Sequence, residues 1–538
     1  MTALLCALLL AAPKADLREL AGEVEQELEA WDVPGASHAV DELVQAFPDS
    51  PEAAYYRGRV LFEQGKYAEA VKAYEDATRR GVTPGSFDSL AHRGQSEVES
   101  EARLARAALE ETKNDAVFES EHFTLRTPPG KDTLLAPYAL NALEKAYAGL
   151  TKDLGVVPSA KIRVEVYDTA KSLAHVSPLT VEQIKASGTI ALCKYSRLMI
   201  TSPKALLRGY PWLDTLSHEF VHYLVTQKGR NHVPIWLQEG LAKFLETRWR
   251  GPPGMAVDEM QLQLLQDAAR KKQLIPFARM HPSIALLPTQ EQAALAFAEV
   301  EAAMRLLYQR GGQQALTELV SAMAAGMNDE QAVAQAYGKG FREFESDWRA
   351  EVARPRAKLA AKEVRPAVAK KLVFKEDAKG KTEPPEFQAA PALGHHFETD
   401  PETKRVIQLG EIFYARRRWA AAAHEYGRAR ARLPSDIPQV SRRYAFSEAR
   451  VGNYPAAERA LAKAVESDPE DEAAQALYGR VLLELKKFAK ARTALDCGIA
   501  IDPFDPDLHN IYVEVAKALQ DKPLEERERK AYELAQSR

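Results

Sequence analysis

Residues 217–223 read Ser217-His-Glu-Phe-Val-His-Tyr223, and Pro234-Ile-Trp-Leu-Gln-Glu-Gly-Leu-Ala242 follows shortly after. Two histidines four residues apart on a helix are separated by about 400° of rotation and roughly 6 Å of rise, so His218 and His222 project from one face and can grip one ion. Glu219 sits about 60° further round than His222, on the same side. Leu213, Leu216, Phe220 and Leu224 fall within an arc of about 80° centred away from the histidines. One face packs and the other reaches a cleft.

The second segment repeats this division. Pro234 gives a stiff entry to a helix on which Glu239, Lys243 and Glu246 share one face, while Leu237, Leu241, Phe244 and Leu245 share the other. Glu239 lies seventeen residues after His222, enough for the first helix to end near Gly229 and a second to bring a carboxylate beside the two imidazoles. His218, His222 and Glu239 then form a three-ligand Zn²⁺ set with one position left for water, the arrangement of a catalytic site; a structural zinc is closed by four protein ligands. The chain has three cysteines, none near these segments, so no thiolate set competes.

These two segments resemble the gluzincin metallopeptidases, and more closely the bacterial peptidase-MA-like domains that couple Thr-Leu-x-His-Glu-x-x-His to Pro-x-Trp-Leu-x-Glu-Gly-Leu-Ala. Here they read Thr215-Leu-Ser-His-Glu-Phe-Val-His222 and Pro234 to Ala242. The resemblance spans residues 115–353, about half the chain, and is dense only around these two helices. It implies an α+β zincin-like domain in which His218, His222 and Glu239 bind zinc and Glu219 is the general base. Glu246 is either a partner for a ligand histidine's other nitrogen or a surface pair with Lys243. Members of the wider family add an oxyanion-stabilising Tyr or His; His281, Tyr308 and Tyr337 are candidates, and no local motif selects one.

Upstream, His122–Arg126 and Lys161–Tyr167 alternate with period two as half-buried strands do, with a helix from about Leu135 to Leu154 between them. Thr189–Cys193 and Arg197–Thr201, split by a short polar turn, predict a hairpin. The resemblance implies that the strand at this point lines the cleft and pairs with extended substrate, which makes Leu198, Met199, Ile200, Thr201 and Ser202 candidate backbone contacts. Downstream, Ala293–Tyr308 and Phe341–Val352 predict amphipathic helices, with breaks at Gly311-Gly312 and Gly338 to Gly340.

Both flanks carry a repeat of about thirty-four residues, the tetratricopeptide (TPR) period. Gly410, Ala422, Tyr426 and Ala429 answer to Ala445, Ala457, Leu461 and Ala464, then to Gly479, Ala491, Leu495 and Gly498. Leu508 to Ala535 forms a fourth pair or cap. Near the N-terminus Gly58, Ala70, Tyr74 and Ala77 keep the same frame, preceded by a degenerate copy from Leu20 to Pro48.

The expected organisation is a signal peptide at 1–15, TPR-like helices at 16–112, the peptidase domain at 115–353, a flexible Lys/Pro/Ala-rich linker at 354–397 and C-terminal TPR repeats at 398–538. The fold class is thus multi-domain and predominantly α. At 538 residues the length exceeds what one core usually organises, and the net charge of -4 gives no basic field for nucleic acid. No apolar run reaches the length of a membrane span. Thr2–Ala12 has the length of a signal-peptide core and points to export to the periplasm or beyond; no Lys or Arg precedes it and no tidy cleavage triplet follows, so a cytoplasmic location is the alternative. Cys6, Cys193 and Cys497 make no disulfide framework.

Together these features predict a zinc metallopeptidase acting on a peptide or protein substrate, its TPR grooves recruiting a protein partner. The alternative is an inactive TPR scaffold with a vestigial zincin domain. On the peptidase reading, deleting 398–538 is expected to spare cleavage of a short generic peptide but to impair that of the physiological substrate.

Overall fold

The computed structural model describes residues 16–81, 95–253, 259–281, 283–284, 287–354, 374–375, 400–433 and 437–537. The expected signal peptide and most of the 354–397 linker lie outside these. Helices dominate, and no described helix is long and apolar enough to cross a membrane.

Two antiparallel helix pairs open the chain, Leu17–Glu29 with Val33–Ala46 and Pro51–Glu63 with Tyr67–Arg79, and Gln95–Thr112 packs after them. Asp32 and Ser50 begin the second and third helices by accepting the Gly35 and Ala53 amides. Pairs of the same kind return at Pro401–Ala415 with Trp419–Arg432, Pro438–Arg450 with Tyr454–Ser467, Glu472–Glu484 with Phe488–Ile499, and Pro506–Leu519 with Lys522–Gln536. The repeated small residue is a packing requirement. A Cβ on Gly58, Gly410 or Gly479 would come within 2.6–2.8 Å of Tyr74, Tyr426 or Leu495 respectively on the paired helix.

Between the repeats lies a five-stranded sheet: β1 (Ala116–Glu119), β2 (Phe123–Thr127), β3 (Ile162–Tyr167), β4 (Ala191–Lys194) and β5 (Arg197–Thr201). Its order is β1-β2-β3-β5-β4, with β2, β3 and β5 parallel and the two edge strands antiparallel to their neighbours. β1 was not expected from the sequence, because four residues are too few for their alternation to stand out. Tyr195 and Ser196, at φ 56° and 49°, make the tight turn of the β4–β5 hairpin.

The topology corrects the expected substrate contacts. β5 is central and buried throughout; its register pairs Leu198–Thr201 with β3 on one side and Leu198–Ile200 with β4 on the other. The Thr201 amide donates to Ile190 and that of Ser202 to Tyr167. Leu198, Met199, Ile200, Thr201 and Ser202 therefore have no free edge to offer a substrate; on that side of the sheet β4 is the edge strand.

Separability is corrected as well. One hydrophobic core runs from Ala21 through the sheet to Ala535, while the first two C-terminal repeats hold smaller clusters of their own. Trp212, fully buried at the start of the motif helix Trp212–Gly229, donates Nε1–H to the Ile499 carbonyl at 2.9 Å and its amide to Ala500 at 3.1 Å. The Tyr210 amide reaches the Ile501 carbonyl, and the Tyr138 hydroxyl donates to the buried Glu528 carboxylate at 2.9 Å. Phe374, inside the expected linker, is buried and bridges to Leu206. Deleting 398–538 would thus strip partners from the helix that carries the histidines.

Gly209 tests this joint. Its φ is +64°, and a Cβ there would meet the Ile501 carbonyl oxygen at 2.3 Å. Gly209→Ala is expected to destabilise the protein by about 1–3 kcal/mol, read as a lower guanidinium unfolding midpoint.

Candidate metal centre

The motif helix buries Leu213, Leu216, Phe220 and Leu224 against the sheet side. Phe220 meets Phe123 edge-on at 5.3 Å and stacks on Tyr147 at 6.0 Å. With that face fixed, His218, Glu219 and His222 turn the other way. The helix ends where Arg230 and Asn231 adopt positive φ, and Pro234 starts the second helix, Ile235–Leu245. Trp236 holds this second helix in place: its ring stacks on Phe277 at 4.2 Å and its Nε1–H donates to Asp329 at 2.9 Å. Gly240 lets the helix approach Gln290–Ala324 closely, since a Cβ there would come within 3.0 Å of Met304 and the Val300 carbonyl.

The result is a triangle of lone-pair atoms. His218 Nε2 and His222 Nε2 are 3.2 Å apart, and Glu239 Oε2 lies 3.4 Å from the first and 3.5 Å from the second. Tetrahedral zinc with bonds of about 2.0–2.1 Å requires its ligand atoms to be about 3.3–3.4 Å apart, so these three atoms fit the ion. Among the described residues this is the one His/Cys/Asp/Glu group close enough to hold a metal. The side chains of His218, His222 and Glu239 remain 14, 14 and 20 % exposed, which leaves an approach from solvent.

Glu246 takes both of the roles left open by the sequence. Its Oε2 accepts from His218 Nδ1 at 3.2 Å while its Oε1 pairs with Lys243 at 2.6 Å. With Nδ1–H committed to Glu246, His218 presents Nε2 as a lone pair toward Glu239 and His222, the tautomer a metal needs. Burial disfavours the charged form of His218, but hydrogen bonds to Glu239 and Glu246 outweigh it and carry the imidazole up to about 10. Burial pushes Glu239 up, yet His222 and His218 override it and hold the carboxylate far below its ordinary range. A cation is wanted here, and without a metal a proton supplies the charge.

Glu219 is 6 % exposed, and burial raises its carboxyl against the opposing pull of His222 and His218. β4, an edge strand of the sheet, packs against the motif helix. Spacing did not reveal this contact, because the strand order decides which strand lies beside the helix. The oxyanion candidates are engaged elsewhere: Tyr337 donates to Asp347 at 2.7 Å, and Tyr308 packs on Phe244, on the apolar face of the second helix. His281 is exposed at the end of a short 3₁₀ turn.

The Peptidase MA superfamily model matches residues 142–354, a span that holds both helices and all three ligand atoms. Tetratricopeptide-repeat models match residues 25–83 and 449–513. The chain combines a peptidase MA-like domain with TPR repeats. No curated protein matches it. Among solved structures it is similar to the TPR2B domain of yeast Sti1 in a pHsp70 complex, at 19 % identity and TM-score 0.18 over 25 % of this chain and 97 % of that one. It is also similar to the P58(IPK) TPR domain, at 11 % and 0.21 over 94 % and 99 %, and to the APC/C hetero-tetramer Cut9–Hcn1, at 10 % and 0.26 over 97 % and 79 %.

The peptidase MA-like domain yields a direct expectation. Glu246→Gln keeps the shape but loses the charge that holds His218 Nδ1–H, and it is expected to weaken zinc binding about 10–100-fold in a chelator-competition titration.

Proposed function

We propose that the protein is a zinc-dependent metallopeptidase in which His218, His222 and Glu239 hold the metal and Glu219 is the general base. The 3.2–3.5 Å triangle of His218 Nε2, His222 Nε2 and Glu239 Oε2 carries this reading. The domain match supports it, since the Peptidase MA superfamily is typically zinc-dependent. Zinc, when bound, supplies Lewis acidity for a water and for the scissile carbonyl. Glu219 takes the water's proton and returns it to the leaving amine; its burial, which raises the carboxyl, suits a group that must hold a proton in passing. Glu246 and Lys243 orient His218, and the outer edge of β4 is the strand an extended substrate can join.

The TPR repeats support recruitment of a protein or peptide partner. The apolar Thr2–Ala12 run supports export. The deciding experiment combines elemental analysis with cleavage of a denatured protein mixture. Wild type is expected to hold one zinc and to cleave, and Glu219→Gln to keep the zinc while losing about 10²–10⁴-fold in rate. Bound zinc with no cleavage that depends on Glu219 would instead identify a scaffold with a vestigial zincin domain.

A further inference from the structure

The β4–β5 hairpin ends inside the N-terminal repeats. Phe62, on the helix Pro51–Glu63, meets the Tyr195 ring edge-on at 5.4 Å. Arg163 on β3 donates to the Tyr195 carbonyl at 2.9 Å and to the Tyr67 hydroxyl at 2.9 Å. Arg197, fully buried, lies over the Phe62, Tyr67 and Tyr195 rings at 5.2, 5.4 and 5.9 Å and pairs with Glu165 at 3.0 Å. Tyr67 closes the cluster by donating to Glu165 and accepting from Arg197.

A buried ion pair of this kind contributes little net stability, but it tolerates few geometries. What it fixes here is the turn Tyr195-Ser196. That turn closes the end of β4, which packs against the motif helix that carries Glu219. Among strands β4 pairs with β5 alone, and the clamp holds its tip. A displacement of the tip moves the strand packed beside the motif helix and the edge a substrate would join.

We propose that the N-terminal repeats position β4 for the reaction, with Phe62 and Tyr195 as positioning residues that act through β4 on the motif helix that carries Glu219. This rests on the peptidase reading above. It also makes the N-terminal repeat unit part of the catalytic apparatus, so that whatever moves the helix Pro51–Glu63 changes turnover.

The test is hydrogen exchange of the β4 amides together with zinc content and cleavage of a denatured protein, in wild type, Phe62→Ala, Tyr195→Ala and Tyr195→Phe. Both alanine variants are expected to exchange the Leu192–Lys194 amides about tenfold faster or more and to lose about tenfold in kcat/KM, with zinc content unchanged. Tyr195→Phe keeps the ring and is expected to behave as wild type. If Phe62→Ala does not fold, Tyr195→Ala decides, because that ring is only half-buried. An active wild type whose alanine variants show unchanged exchange, or faster exchange with full cleavage, overturns the positioning role and leaves the peptidase reading intact. A wild type that holds zinc and cleaves nothing overturns the peptidase reading itself.

Discussion

Two imidazole nitrogens and a carboxylate oxygen, drawn to within 3.2–3.5 Å of one another in a mostly buried cleft, need a positive charge among them. Their lone pairs point at a common place. Everything around the site enforces that convergence. The apolar face of each helix is pinned by aromatic contacts, Phe220 on Tyr147 for the first and Trp236 on Phe277 for the second. The angle between the helices is then no longer free, and the ligands have nowhere else to point.

The same logic extends to the flanks. A two-helix grip on an ion is only as stiff as the ends of its helices. Here the start of the motif helix is held by carbonyls of the last repeats, and the hairpin beside it is held by the first. The buried pairs at these joints, Glu165 with Arg197 and Glu528 with His509 and Arg527, are polar where a simple packing interface would be apolar. Burial alone would raise Glu165, but Arg197 and Arg163 keep its carboxyl below the usual range. Removing one partner at such a joint leaves a buried charge unpaired, a cost that an apolar contact would not carry.

Much of this was legible in the sequence because it is local. The i, i+4 histidines, the split of Leu213, Leu216, Phe220 and Leu224 from the polar face, the distal Glu239 and the thirty-four-residue repeat are all periodicities along one helix or one pair. The β4–β5 hairpin was legible for the same reason. Strand order was not, since Leu198–Ser202 and Ala191–Lys194 are both plausible lips until β3 is known to take one side of β5. Nor was the docking of the modules, because nothing near Trp212 announces that its indole proton belongs to a carbonyl at position 499. A Lys/Pro-rich stretch likewise gave no sign that Phe374 would be buried.

The bond between Trp212 and Ile499 spans 287 residues. A ribosome delivers the histidines, both helices and the whole sheet long before it delivers the carbonyls that cap the motif helix, and domains otherwise fold from the N-terminal end as they emerge. The nascent chain therefore carries His218 and His222 through most of synthesis without the support that completes their helix. Assembly of the site waits for nearly the last segment of the polypeptide, so a truncated or stalled product lacks the finished cleft.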